Sequence, residues 1–303
     1  MEGMNRFISV IAFIALAIGS QTLFAQWPKF TPKGTPRNPD GTVDMRAPAP
    51  RTADGKVDLS GVWQTIAGRI GGRGRAGGAA APAPVAAEGT GELPPSGSLF
   101  GNIGDQTQGG APYQPWAAEL VKKRMADNSK DNPDAHCMPL GIMQNTTHPF
   151  PKKIIQTPSQ LIVIYEGSAT TVREIYLDGR TPDPDAEPWY QGYSVGRWEG
   201  DTLVVDTSNF IDDDHWTTWL DVRGSPLTRQ GRITERFRRP NFGSLQIEVT
   251  IDDPKAYTKP FTATINNRLQ PDTQLIEFVC LDKSAQHYVG ASGSPDATLK
   301  QQK

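Results

Sequence analysis

The chain has 303 residues, and its 31 Lys and Arg against 33 Asp and Glu leave a formal net charge of -2. That near balance excludes the basic footprint of a nucleic-acid binder, and the length allows one β-rich domain with attachments or two small domains. Hydrophobic residues make up 37% and mean hydropathy is -0.48, so beyond one N-terminal apolar run no segment is apolar enough to cross a bilayer.

Arg6 precedes the apolar run Phe7 to Ile18, and small and polar residues follow as far as Ala25. The run falls short of the ~20 residues a spanning helix needs. Residues 1–25 therefore read as a secretory signal peptide cleaved after Ala25, with an N-terminal membrane anchor as the competing reading. The expected location is a periplasm or the extracellular space. In such an oxidising compartment the two cysteines, Cys137 and Cys280, are expected to form one disulfide closing a long loop. Two separate buried thiols, or a redox or metal pair, are the alternatives.

Residues 26–56 are rich in Pro, Gly, Lys and Asp without apolar periodicity, which predicts an extended arm. It contains a small repeat: Asp40-Gly41-Thr42-Val43-Asp44-Met45 returns as Asp54-Gly55-Lys56-Val57-Asp58-Leu59. The second copy feeds Leu59-Ser60-Gly61-Val62-Trp63, the first predicted strand. Residues 67–112 form a Gly/Arg and then Ala/Pro insert that is expected to be disordered. Its Gly71 to Gly78 run lacks the Lys-Ser/Thr end and following helix of a phosphate-binding loop. Pro115 opens a predicted amphipathic helix over 115–127, with Trp116 and Leu120, and Ala117, Val121 and Met125, at four-residue spacing. It is expected to pack on a sheet.

From Ile154 to Cys280 the pattern changes to period two, in runs bounded by Gly, Pro, Asp and Asn. Strands are predicted at 160–165, 171–177, 193–198, 202–207, 231–238, 245–251, 261–269 and 274–280. Glu199-Gly200-Asp201 is the sharpest hairpin signal. Together with the strand at 59–64, these predict an all-β fold, an antiparallel barrel of about eight to nine strands. The barrel domain spans 57–283, with one packed helix and the insert, and a tail follows over 284–303.

Leu59-Ser60-Gly61-Val62-Trp63 resembles the Gly-x-Trp signature on the first strand of lipocalins and related calycin barrels, which implies a closed lipocalin-like barrel around a ligand cavity. A second resemblance covers most of the chain beyond residue 54. The motif Gly196-Arg197-Trp198-Glu199-Gly200-Asp201-Thr202-Leu203-Val204-Val205-Asp206-Thr207, with Thr234-Glu235-Arg236-Phe237-Arg238-Arg239, is similar to a large family of secreted bacterial proteins with no established activity. Histidines common in that family near three positions are absent here, where Pro182 and Asp183, Tyr193 and Leu227 stand.

Three functional readings follow. Aromatic density around Trp189, Tyr190, Tyr193, Trp198, Trp216 and Trp219 suits a wall for a small, partly apolar, aromatic or saccharide-like ligand, with Arg173, Arg197 and Glu235 as polar anchors. Ordinary packing is the plainer account of the same rings. A cofactor-independent acid-base enzyme (isomerase, cyclase, lyase or hydrolase) would use Tyr193, Asp206, His215 or Glu235, and requires that these converge. An envelope interaction scaffold would use the arm and insert for contacts. Asp212-Asp213-Asp214-His215 lacks the alternating spacing of a Ca²⁺ loop, and no two of the four histidines sit at ligand spacing on one element. No metal, no cofactor and no nucleic acid are therefore expected, and no Gly-x-Ser-x-Gly elbow occurs.

Overall fold

In the computed structural model the described residues are 31–66, 102–107, 109–148, 150–167, 172–182, 185–213 and 217–276. The strands are β1 (Gly61–Thr65), β2 (Lys152–Gln156), β3 (Gln160–Tyr165), β4 (Val172–Tyr176), β5 (Tyr193–Glu199), β6 (Thr202–Ser208), β7 (Thr218–Trp219), β8 (Pro226–Leu227), β9 (Arg232–Asn241), β10 (Ser244–Asp252) and β11 (Phe261–Leu269). Between β1 and β2 lie a 3-10 turn at Ile103–Gln106, helix α1 (Pro115–Ala126), a second 3-10 turn at Pro133–His136 and helix α2 (Ile142–Thr147).

Nine of the strands form a closed barrel in the order β1-β11-β10-β9-β6-β5-β4-β3-β2, and β7 and β8 form a separate two-stranded ribbon. A ring with an odd number of strands cannot alternate direction throughout, so at least one neighbouring pair must be parallel. That pair is β4–β5, joined over only two register partners, Ile175 with Ser194 and Tyr176 with Val195. The barrel is therefore mostly antiparallel, as the sequence suggested, with one parallel pair. The cause is the connection after β4. β5 starts at the same end of the barrel as β4, so the chain returns along the barrel between them and no hairpin joins the two.

Alternation fixes the interior. Leu161, Val163 and Tyr165 on β3, Leu203, Val205 and Thr207 on β6, and Ile233, Glu235 and Phe237 on β9 are all buried. Trp63 is fully buried on β1 and its indole N–H donates to the Leu59 carbonyl at 3.0 Å. The lower end of the barrel carries the β5–β6 and β9–β10 turns and is covered by the arm. The Phe242 and Gly243 amides donate to the Ala47 and Met45 carbonyls at 2.7 and 2.9 Å. At the upper end, where β1 stops and β2 starts, lie both helices and the β6–β9 and β10–β11 connections.

Three further expectations change. A strand at Lys152–Gln156 was missing from the predicted set and supplies the neighbour that closes the ring on β1. Gln274 to Ile276, inside the predicted strand 274–280, is irregular, and residues 277–280 lie outside the described residues. The C-terminal part of the insert is ordered. Ile103 is buried, Gln106 exchanges hydrogen bonds with Thr264 at 2.9 and 2.7 Å, and Arg223 donates to Asp105 at 2.7 Å. Residues 67–101, the signal segment 1–25 and the tail 284–303 lie outside the described residues. Helix α1 lies against the β7–β8 ribbon and the neighbouring loops: Trp116 donates to the Lys255 carbonyl at 2.7 Å, and Arg124 donates to the Gly224 carbonyl at 2.6 Å with its guanidinium 4.3 Å from the Trp219 ring centroid on β7.

Gly192 leads the chain into the parallel junction at φ 62°, and a Cβ there would lie 2.5 Å from the Ser208 carbonyl oxygen and 2.7 Å from the Phe210 ring. Backbone cannot yield as a flexible side chain can, and the left-handed conformation adds its own strain. Gly192→Ala is expected to lower unfolding free energy by about 2–4 kcal/mol in urea titrations.

Candidate functional site

Charged side chains on strand positions that alternation assigns to the interior are the anomaly of this barrel. Arg173 and Glu235, at 4% and 0% exposure, meet inside it although β4 and β9 are separated by β5 and β6. The guanidinium grips both carboxylate oxygens, Oε1 at 3.1 Å and Oε2 more closely. It also donates from Nε and Nη2 to Ser194 Oγ at 3.2 and 3.1 Å, and from Nη2 to Thr207 Oγ1 at 3.1 Å. One side chain thus ties four consecutive strands, including the short parallel junction. Burial opposes the Arg173 charge, yet Glu235 and Tyr165 beside it hold its pKa above the ordinary value.

Lys152, the first residue of β2, shares this compartment. Its Nζ donates to the Thr146 carbonyl at 2.9 Å and to Thr65 Oγ1 at 3.0 Å. Complete burial drives its pKa from 10.5 down to about 7, against an opposing pull from Glu235. Tyr165, buried on β3, has its phenol pushed up by the same desolvation. Helix α2 closes the compartment from above. A cavity of about 10 Å³ remains between Thr146, Lys152, Tyr165, Arg173, Phe237 and Ile247. That is room for about one water molecule. Around the Arg173–Glu235 pair the interior is filled by described side chains, and the upper half of the barrel is a hydrogen-bonded polar core.

A larger space lies at the rim, outside the barrel wall. Leu120, Lys123, Arg124 and Asp127 near α1, Asp131, Pro133, Thr217 and Trp219 line a pocket of about 230 Å³. The Arg124 guanidinium lies 4.3 Å from the Trp219 ring centroid and donates to the Gly224 carbonyl and to Thr217 Oγ1, at 2.6 and 2.9 Å. Burial lowers its pKa to about 10. Near this pocket, α2 presents polar atoms whose hydrogen bonding is incomplete. Gln144 Nε2 donates to Asn132 Oδ1 at 3.3 Å, but Gln144 Oε1 and Asn145 Oδ1 are buried without partners among the described residues, as are Tyr190 Oη and both amide atoms of Gln191. The two groups are linked through Thr218, which packs on Gly141 at the start of α2 and donates to the Tyr190 carbonyl at 3.4 Å.

Of the side chains singled out from sequence, only Arg173 and Glu235 come together inside the barrel. Arg197 and Asp206 pair with each other at 2.5 Å on the outer, exposed face. Tyr193 stacks on Tyr176 at 5.3 Å. Trp189 is 55% exposed, whereas Trp219 is buried under Arg124. Trp198 packs at the lower end with Lys56 Nζ 6.0 Å from its ring, and Tyr190 is buried at the upper end. His215 and Trp216 lie outside the described residues. The proposed aromatic wall and the proposed acid-base set are therefore not clusters among the described residues. Lys152, Tyr165, Ser194, Thr207 and Arg124 were missed. The signal for Lys152 was its parity with Ile154, the same signal that marks Arg173 beside Ile175. No group of three or more His, Cys, Asp or Glu among the described residues is placed to hold a metal ion.

Comparison with known proteins adds no assignment: no family model, no curated protein and no solved structure matches the chain.

Two outcomes are expected. Removing one partner of the buried pair, as in Glu235→Gln or Arg173→Met, leaves the other uncompensated and is expected to cost about 3–5 kcal/mol in denaturant unfolding, with the Arg173→Met/Glu235→Leu double variant recovering much of it. Because the unfolded chain binds a proton at Lys152 up to pH 10.5 and the folded chain only up to about 7, this lysine destabilises the fold fully below about 7 and progressively less above it. Lys152→Met should therefore gain stability relative to the parent most at pH 6. That gain should shrink by on the order of 1 kcal/mol per pH unit above 7, measured by urea unfolding across pH 6–9.

Proposed function

We propose that the protein is an exported small-ligand binding protein whose site is the rim pocket and whose barrel is a solid frame. The observation that supports this reading is the contrast in space: about 10 Å³ inside the barrel against about 230 Å³ beneath α1. The rim volume is below the ~300–1,000 Å³ typical of drug-sized sites, which fits one sugar ring or one small aromatic acid. Leu120 and Pro133 offer apolar contact, Lys123 and Arg124 offer donors, and Asp127 and Asp131 offer acceptors. A lipocalin-like cavity is not part of this proposal, because the space that such a ligand would fill is occupied by Arg173, Glu235, Lys152 and Tyr165.

Export remains part of the proposal on the strength of residues 1–25, and no helix among the described residues is long and apolar enough to cross a membrane. The Cys137–Cys280 disulfide belongs to the same proposal. Cys137 follows the 3-10 turn Pro133–His136 in a left-handed conformation at φ 54°, held by its backbone N–H, which donates to the Asp134 carbonyl at 3.2 Å. Intact mass spectrometry of the protein exported by its native host should show a mass lower by two hydrogens than that of the reduced chain. A mass equal to that of the reduced chain would remove the bridge.

The ligand reading is tested by thermal shift and calorimetry with a panel of monosaccharides and hydroxybenzoates on the mature protein. Binding is expected to weaken at least tenfold in Arg124→Met and several-fold in Asp131→Asn, while Lys152→Met leaves it unchanged. A hit that responds to Lys152→Met and not to the rim variants would place the site in the barrel, and a panel without hits would leave the barrel as a scaffold.

A further inference from the structure

The arm repeats a longer unit than its Asp-Gly core. Pro36-Arg37-Asn38-Pro39-Asp40-Gly41-Thr42-Val43-Asp44 and Pro50-Arg51-Thr52-Ala53-Asp54-Gly55-Lys56-Val57-Asp58 share Pro, Arg, Asp, Gly, Val and Asp at equivalent places. They also share a conformation. Asn38 and Thr52 donate to the carbonyls of Thr42 and Lys56 at 2.8 and 2.9 Å, and Asp44 and Asp58 to those of Pro36 and Pro50, both at 2.9 Å. Gly41 and Gly55 take φ 84° and 79°. Each arginine folds back on its own turn, Arg37 Nη1 onto the Gly41 carbonyl at 2.6 Å and Arg51 Nη1 onto the Gly55 carbonyl at 2.8 Å. That bond fixes the guanidinium in the same attitude in both units.

The second unit shows what the guanidinium is for. Arg51 holds Asp201 with two parallel bonds, 2.9 and 2.7 Å, at the tip of the β5–β6 hairpin just after Gly200. Lys56 of the same unit lies 6.0 Å from the ring centroid of Trp198 in that hairpin. The first unit is seated on the barrel by Met45, whose carbonyl accepts from Gly243, but Arg37 is exposed and pairs with no carboxylate among the described residues. A planar guanidinium held by its own turn is organised for bidentate capture of a carboxylate. Among the described residues the one hairpin tip of this chain carrying a Gly–Asp pair is already held by Arg51. A second copy therefore offers no vacant equivalent among its described residues.

We propose that the first unit, Pro36 to Asp44, is a second docking module that takes the carboxylate at a Gly–Asp hairpin tip of a different protein, as the second unit takes Asp201. This site is remote from the rim pocket and does not depend on it. The contact is exposed, so its strength depends on ionic strength and on further contacts of the partner.

The test uses the ¹⁵N-labelled mature protein at low salt, titrated with a cyclised peptide of residues 197–203, Arg-Trp-Glu-Gly-Asp-Thr-Leu. The Arg37 side-chain and Gly41 amide resonances are expected to shift at millimolar peptide while Arg51 and Gly55 stay fixed. The shift is lost in Arg37→Gln, with a peptide whose Asp is replaced by Asn, and at high salt. In Asp201→Asn, where unchanged barrel resonances report an intact fold, Arg51 and Gly55 should join the response, giving two sites. The proposal is overturned if the peptide reaches Arg51 in Asp201→Asn but never Arg37. It is equally overturned if neither unit responds, or if the Asn peptide is as effective as the Asp peptide.

Discussion

A nine-membered ring of strands must contain a parallel contact, and the rest of this structure is arranged around holding that contact shut. The β4–β5 junction has two register partners, where the β9–β10 and β10–β11 ladders each run to eight. Backbone pairing alone makes it the weakest stretch of the wall. Arg173 compensates from inside, since one guanidinium bonds to Ser194 on β5, Thr207 on β6 and Glu235 on β9. Burying such a group is costly, and the cost is offset only because its charge and nearly all its donors are matched. The placement of the remaining polar interior follows. With Arg173 and Glu235 in the upper half of the barrel, Lys152, Tyr165, Thr65 and Asn267 can share their field and hydrogen bonds, and the lower half is left to Trp63, Leu203, Phe237 and Leu269.

This polar core also decides where function can reside. A barrel of this size can enclose a ligand only if small side chains leave its axis free. Here long side chains converge on the axis and α2 seals them from above. The structure departs from the hollow vessel implied by the Gly-x-Trp resemblance at this point, although Trp63 itself is buried at the base of the barrel and anchors the arm end of β1. What remains for recognition is the exterior, with α1 and the β7–β8 ribbon enclosing a pocket at one end and the arm carrying ordered turns at the other. The two surfaces have different chemistry. The rim combines a half-buried cation with an indole and apolar side chains, and the arm presents a guanidinium backed by its own turn.

Much of the wall was legible in the sequence. Period-two runs at 193–198, 202–207, 245–251 and 261–269 lie within a residue or so of β5, β6, β10 and β11, because alternation on a one-sided buried sheet is a local signal. Lys152–Gln156 was harder, since two lysines followed by two isoleucines alternate poorly. The difference between Lys152, buried, and Lys153, exposed, is decided by which neighbours close the ring. Gln274 to Ile276 shows the opposite failure, the start of an apolar run that meets no partner strand among the described residues. The aromatic residues misled for a related reason: Trp189, Tyr193, Trp198 and Trp219 are close in sequence but are distributed over the outer face, the lower end and the rim.

The sequence by itself determined the β class, most strand positions, the helix predicted over 115–127 and the duplicated turn of the arm, all of which depend on residue spacing and on Gly and Pro conformational limits. Arg173 and Glu235 were visible as charges on strands, but whether they faced water or one another was not. Tertiary structure decided that, because it depends on how many strands close the ring and therefore on which side of the wall each parity faces. The same closure decided that the cavity is filled, that Arg124 stacks on Trp219 across an unrelated stretch of chain, and that Arg51 reaches Asp201. These are contacts between residues far apart in the chain, and local pattern carries no information about which distant side chain will arrive at a given place.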